Sequence, residues 1–338
     1  NGKSVGTNKL VPHLMDHKNY VIHYRNLKFL VSLGVVVTKV HKVLAFKQKP
    51  WMVPYIEFNT EKRKGAKNEF EKAFFKLMNL SVFGKTMENV KNRIQLHLTT
   101  SHDNAVKWFS KINFKDSKSF NGLNMIEMYK EEIEYNKPVY VGTSILDLSK
   151  LCMMDFHYNV IQHHFPNKHN LCYTDTDSMK YLIQHDDIYE WVKNNREPFD
   201  LSDSLRPDLK DNTNKKVLGK FKDEMNSMII KELIALNPKV HSMKHDPVKE
   251  DDEIITNMKR AKGVSKTNVK KEITHDDCVA VLQKNTPQQK SVMSITSFDH
   301  QLYTFRQSKK ALTSLYDKMI MVDEVNCLPF GYAGSLRG

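Results

Sequence analysis

The sequence predicts an α+β protein, and three stretches of it carry the prediction. "LCYTDTDSMKYLI", residues 171–183, alternates apolar and polar positions on either side of a short polar turn, the pattern of a β-hairpin. "NTEKRKGAKNEFEKAFFKLMNL", residues 59–80, sets Phe70, Phe74 and Leu77 at i, i+4 and i+7, which gives a helix one apolar stripe. "KPVYVGTSILDLSKLCMMDFHYNVIQHHF", residues 137–165, reads as a second helix that starts near Ser144 and leads into the hairpin. The expected architecture is an antiparallel sheet carrying the hairpin, with helices packed behind it.

The remaining elements follow in chain order. Residues 20–58 read as a short helix around "NLKFLVSLG", a strand "VTKVHKVLAF" with partial alternation, and a Pro-bounded connection "KPWMVPYIEF". The helix after it opens on Asn59 or Thr60 as cap, with Glu61 in the first turn, where the helix dipole favours an acid. At 100° per residue, Lys62, Lys72 and Lys76 fall at steps of about 40° around that helix and form a cationic row. Such a row is more often a solvated face than a site. Residues 196–216, with Pro198, Pro207 and many Asp, Asn and Ser, read as loop, and "KKVLGKFKDE" after them as a strand. A lysine-rich segment, 239–275, holds one acidic run, "EDDE" at 250–253, read as a solvated loop. The rest reads as mixed helices.

Composition narrows the class of partner. Lys plus Arg number 52 against 39 Asp plus Glu, a formal net charge of +13 that favours polyanions, nucleic acid first. The four cysteines, Cys152, Cys172, Cys278 and Cys327, have spacings that suit neither a zinc site nor a disulfide framework, so a reducing compartment and no structural metal are expected. No apolar run approaches the roughly 18 residues of a membrane span. The segment "NGKSVGTNKL" has no signal-peptide core and no initiator Met, which fits a fragment or a processed chain.

Asp175 and Asp177 are the chemistry-bearing pair. Asp is common in turns because its side chain bonds the nearby backbone. Two carboxylates two apart, however, repel unless cations lie between them. Hard oxygen donors at this spacing suit Mg²⁺ or Mn²⁺, which take one or two protein carboxylates and complete their shell with water and phosphate. The chemistry that uses such a site is phosphoryl or nucleotidyl transfer, with two ions in an intact site.

The hexamer Tyr-Thr-Asp-Thr-Asp-Ser, residues 173–178, resembles the YxDTDS palm motif of family B DNA polymerases. "KLMNLSVFGK", residues 76–85, is similar to their finger motif Kx3NSxYG, and the two motifs stand in the family's order. The wording of 58–93, of "KVLGKFKDE" and of "NPKVHSMK" resembles the protein-primed branch of transposons and viruses, over about residues 9–275. The resemblance implies a partial right hand: an antiparallel palm sheet, helical fingers and a small thumb. It divides the chain into a connecting or insertion subdomain at 1–58, fingers at 59–95, palm at 96–235 with a second insertion near 96–138, and thumb and C-terminal region at 236–338.

By the same resemblance Asp177 is a direct metal ligand and Asp175 its companion. Lys76, with Lys72, binds the triphosphate, and Phe83 and Gly84 form the floor under the nucleotide. Lys239 and His241 occupy the K-x-Y motif that grips the primer end, with Lys62 a further DNA contact. Implied partners are primer-template DNA, deoxynucleoside triphosphates and a terminal protein primer, at an intracellular site such as the nucleus or a place of viral or transposon replication. Leu80 stands for the Asn of the finger motif, Phe83 for its Tyr, and His241 for the Tyr of K-x-Y. A D-x2-SLYPS-like motif and the exonuclease carboxylates are missing; before residue 59 the acids are Asp16 and Glu57. The expectation is the C-terminal portion of a polymerase, inactive or nearly so by itself. A nucleic-acid-binding remnant without chemistry is the alternative, and a two-metal nuclease fits less well because it has no role for the finger lysines.

Overall fold

The computed structural model describes residues 10–250, 253–298, 301–323 and 327–332. It is a mixed α+β chain that separates into two compact units, Val21–Asp155 and a second made of Asn1–Tyr20 with Phe156–Gly338.

In the first unit, α1 (Tyr24–Ser32) is capped by His23. Residues 35–50 form no strand, contrary to the alternation of 37–46. Among the described residues no strand pairs with them, and Val36 and Val43 stay exposed. The expected connection at 49–58 turns into helix: α2 (Val53–Lys64) starts there with Pro54 in its first turn, where the missing N–H costs nothing. The long helix expected over 59–80 is two helices. α2 stops at Gly65, and α3 (Glu69–Thr86) starts afresh behind Asn68, whose side chain accepts from the Glu71 N–H. Asn59 is therefore a buried helix-interior residue whose amide donates to the Tyr55 carbonyl at 2.9 Å.

The apolar stripe is corrected too. Phe70, Phe74 and Leu77 are 78, 45 and 60% exposed. The half-buried side of α3 is Phe75, Met78, Asn79 and Val82, the i, i+3, i+4, i+7 set next to it. The Tyr55 hydroxyl reaches the Met78 carbonyl at 3.2 Å, and Asn79 reaches Thr60 at 3.5 Å, so polar bonds choose the inward face where two apolar stripes compete. Beyond α3 lie β1 (Ile94–Thr99), α4 (His102–Phe109), β2 (Phe114–Phe120) and β3 (Leu123–Tyr129). The strands form an antiparallel sheet in the order β1-β3-β2, and Ala105, Ile126 and Met128 make its core. α5 (Val139–Asp155) begins one turn before Ser144, directly after Pro138. The His23 N–H donates to Asp147 on α5 at 2.7 Å.

The second unit opens on a π-helical turn, Phe156–Ile161, and α6 (Gln162–His164). β4 (His169–Asp175) and β5 (Ser178–Ile183) form the expected hairpin as a two-stranded sheet. Phe156, Ile161 and Phe165 pack behind it against Met179, Tyr181 and Ile183, the alternate positions the sequence marked as apolar. α7 (Ile188–Asn194) leads into the loop expected over 196–216, interrupted by β6 (Phe199–Asp200). The strand expected over 215–224 shrinks to β7 (Phe221–Lys222), because turns occupy 213–216 and 218–219.

The largest core of this unit lies further on. β8 (Ile230–Asn237), β9 (Val240–Glu250) and β10 (Glu253–Ala261) make an antiparallel sheet covered by α8 (Lys266–Glu272) and α9 (His275–Lys284). Ile234, Leu236, Val240, Ile273, Val281 and Leu312 are among its buried members. The acidic run read as a loop joins β9 to β10; its two middle residues, 251 and 252, lie outside the described residues. After α9 the expected mixed helices are replaced by a long hairpin, β11 (Gln288–Phe298) with β12 (Gln301–Leu312), and by short β13 (Ile320–Met321) and β14 (Cys327–Leu328). "SVMSITSF" and "QLYTF" are rich in β-branched and aromatic residues, and that strand preference wins. Among the described residues no helix is long and apolar enough to cross a membrane.

Candidate functional site

Asp175 ends β4 and Asp177 lies in the turn to β5, with Thr176 between them at φ 56°. A β-branched residue in the left-handed region is strained, and the turn holds it with an Asp177 N–H to Asp175 carbonyl bond of 2.6 Å. The Thr176 hydroxyl donates to Asp175 Oδ1 at 3.3 Å. Asp177 is exposed and Asp175 half-buried.

A bulge at Cys172 decides which way the hairpin's aromatic points. Leu171 pairs with Tyr181, but Tyr173 pairs with Lys180, so one residue is skipped between them. Simple alternation would put Leu171 and Tyr173 on one face; the bulge turns Tyr173 away from the core side. There the Lys180 ammonium lies 4.6 Å from the Tyr173 ring centre. On its other flank is His241, ring centres 4.9 Å apart.

The loop between β8 and β9 completes the arrangement. Lys239, itself at φ 66°, donates its backbone N–H to the Tyr173 hydroxyl at 2.8 Å, and its ammonium lies 3.4 Å from Asp175 Oδ1. Tyr173, Asp175, Lys239 and His241, named from sequence stretches far apart, thus meet. His241 is buried, and burial together with the Lys180 and Arg260 charges pushes its pKa down to about 4, against a weaker opposite pull from Asp175. Burial likewise lowers the Lys180 pKa.

The residues named from the 76–85 stretch belong to the other unit. Lys72 and Lys76 are one turn apart on α3, with Phe83 and Gly84 two turns further on. Lys72 pairs with Glu69 at 2.6 Å, whereas Lys76 is exposed. Open space surrounds the position a Cβ would take on Gly84. Lys62 is corrected: it lies in the last turn of α2, across the Gly65 break, and therefore shares no helical row with Lys72 and Lys76. Its ammonium lies 5.6 Å from the Phe58 ring centre.

Chemically, Asp175 and Asp177 offer hard oxygen donors to a Mg²⁺ or Mn²⁺ ion. Among the described residues no group of three or more His, Cys, Asp and Glu side chains converges on one point. Sequence reading missed Lys180 and Arg260. Lys180 stands next to the motif on β5, but the bulge that brings it beside Tyr173 has no sequence signature, and Arg260 is placed only by the β9–β10 register. No family model, curated protein or solved structure matches the chain.

Proposed function

We propose that this chain carries the palm and finger motifs of a family B-type DNA-directed DNA polymerase of the protein-primed kind. One observation carries the reading: the YTDTDS hairpin and the Lys239–His241 stretch, recognised separately in the sequence, meet through the 2.8 Å bond from the Lys239 N–H to Tyr173. In that role Asp175 and Asp177 would hold a divalent ion, which supplies Lewis acidity and charge neutralisation for nucleotidyl transfer. Lys76 and Lys72 would neutralise the triphosphate, Phe83 and Gly84 would underlie the nucleotide, and Lys239 would bind the primer end. A terminal protein would supply the priming hydroxyl.

The two carboxylates provide only part of the protein share of a two-ion site, so the chain by itself is inactive or nearly so. The second reading, a nucleic-acid-binding remnant, draws on the same geometry: the Lys239 ammonium already pairs with Asp175. Incorporation of labelled deoxynucleotides on a primed template, with Mg²⁺ and then Mn²⁺, separates the two when run beside Mn²⁺ titrations. The polymerase reading expects Mn²⁺ affinity to fall on the order of tenfold, about 1.4 kcal/mol, in Asp177→Asn, with binding of primed DNA retained. Mn²⁺ affinity that the substitution leaves untouched would remove the metal role and leave the remnant. Extension that vanishes in Asp177→Asn would instead refute both the remnant and the inactivity of the chain.

A further inference from the structure

Four side chains form one row across the second unit. Lys180 of β5 stands opposite Tyr173 of β4, Tyr173 abuts His241 of β9, and His241 stands opposite Arg260 of β10. The row bridges two sheets, β4–β5 and β8–β9–β10, through the contact of the Tyr173 and His241 rings. Its two ends are cations with little to neutralise them. Lys180 is half-buried, and its closest acids, Asp175 and Glu224, favour its charge without coming within ion-pair distance. Asp175 is itself engaged by Lys239 at 3.4 Å. Arg260 is exposed and makes no ion pair with a described residue.

The middle of the row is unfinished as well. His241 Nδ1 is buried without a hydrogen-bond partner, although His241 as a whole is only 7% exposed. Buried polar atoms are nearly always paired. Lys180 also sits within reach of a second cation, Arg260, whose charge opposes its own, and an anion laid over both would offset that repulsion. A nucleic-acid strand carries such an anion at every nucleotide.

We infer that Lys180 and Arg260 bind the phosphodiester backbone of a nucleic-acid strand laid across the Tyr173–His241 pair. This deepens the reading given above by two backbone contacts outside both recognised motifs, and rests on it for the class of anion. Each contact displaces a counterion, so each steepens the salt dependence of binding.

The experiment is a fluorescence-anisotropy titration of a labelled primed oligonucleotide with the full chain, in EDTA, at a series of salt concentrations. Lys180→Met keeps the aliphatic stem over Tyr173 and removes the charge; Arg260→Gln does the same at an exposed position. Lys284→Gln, on the exposed side of α9, serves as the control for lost charge alone. Each of the first two should lower the slope of log K against log salt by about 0.7 to 0.9, and the double variant by about twice that, while the control keeps the parent slope. Parent slopes in the variants, or an equal loss in the control, would overturn the inference. So would a deoxynucleoside triphosphate whose competition weakens in the variants while the oligonucleotide slope holds, since the anion would then be a nucleotide. Should Lys180→Met fail to fold, Arg260→Gln decides by itself. Because no divalent ion is present, failure here is separable from failure of the metal role of Asp177. A parent chain that binds no oligonucleotide at all would sink both.

Discussion

His241 shows how a single residue can carry a measurable consequence. The unfolded chain takes up its proton near the ordinary 6.5, whereas the folded chain holds the proton off until about 4. The groups facing the ring explain the sign: burial, Lys180 and Arg260 oppose a charge there, and Asp175 favours it more weakly. Between those two values the unfolded state binds more protons than the folded one, so this histidine makes stability fall as pH falls from about 6.5 toward 4. Urea midpoints measured over that window should drop more steeply in the parent chain than in His241→Gln. Parallel curves would mean that His241 meets water in solution and that its contact with Tyr173 is not kept. At the same scale, Asp175, Asp177, Lys239 and His241 were legible in the sequence because their neighbours form motifs. Lys180 and Arg260 were not, since what singles them out is the absence of a partner, and a partner is a property of the fold.

At the scale of elements, the sequence reads well where one periodicity has no competitor. Met179, Tyr181 and Ile183 alternate cleanly, and they face the core formed by Phe156, Ile161 and Phe165. It reads poorly where two periodicities coexist. The helical pattern runs on through Gly65 and outweighs two local signals of the break between α2 and α3, Gly65 itself and Asn68 followed three residues later by Glu71, and Phe70–Phe74–Leu77 competes with Phe75–Met78–Val82 for the inward face. Tertiary contacts settle both. The contact of α3 with α5 depends on a residue that periodicity also overlooks, Gly142, where an added Cβ would sit 2.2 Å from Met87 Cγ and 2.8 Å from Thr86 Oγ1. Thr86 is buried and its hydroxyl is tied to the Phe83 carbonyl at 2.7 Å, so it has little freedom to give way. Replacing a helical Gly ordinarily gains up to about 1 kcal/mol, while overpacking costs about 1–3 kcal/mol. Gly142→Val, which also restricts χ1, should therefore destabilise the unit at 21–155 by about 1–3 kcal/mol in denaturant melts. A neutral or stabilising outcome would show that α3 and α5 are not held this closely.

For the whole molecule, the division into Val21–Asp155 and the remainder makes a claim about cooperativity. The two units own separate cores of unequal size. In the first, Ala105, Ile126 and Met128 form the buried cluster, with Trp108 and Phe114 against it; in the second, clusters gather around Phe156, around Leu209 and around Val281. Hydrophobic burial is the main favourable term in folding, so the unit with the smaller core should unfold at lower denaturant. Tryptophan gives each unit its own reporter. Trp108 stacks on His97 with ring centres 3.6 Å apart, and Trp191 meets Phe165 edge-on at 4.9 Å. Trp51 is 65% exposed and adds mostly background, so it is best replaced by Phe. A chain retaining only Trp108 should then show an earlier urea midpoint than one retaining only Trp191, provided that circular dichroism finds both equally folded at the start. Coincident midpoints with equal slopes would mean that the chain unfolds as one two-state body. In that case the residues of α3 and of the aspartate hairpin would be coupled in stability, and a substitution such as Gly142→Val would weaken the hairpin as well as its own unit. Separate midpoints would instead leave the hairpin, Lys239 and His241 intact under conditions that melt α3, so nucleic-acid binding by the Lys180–Arg260 row would persist after the Lys76 helix is lost.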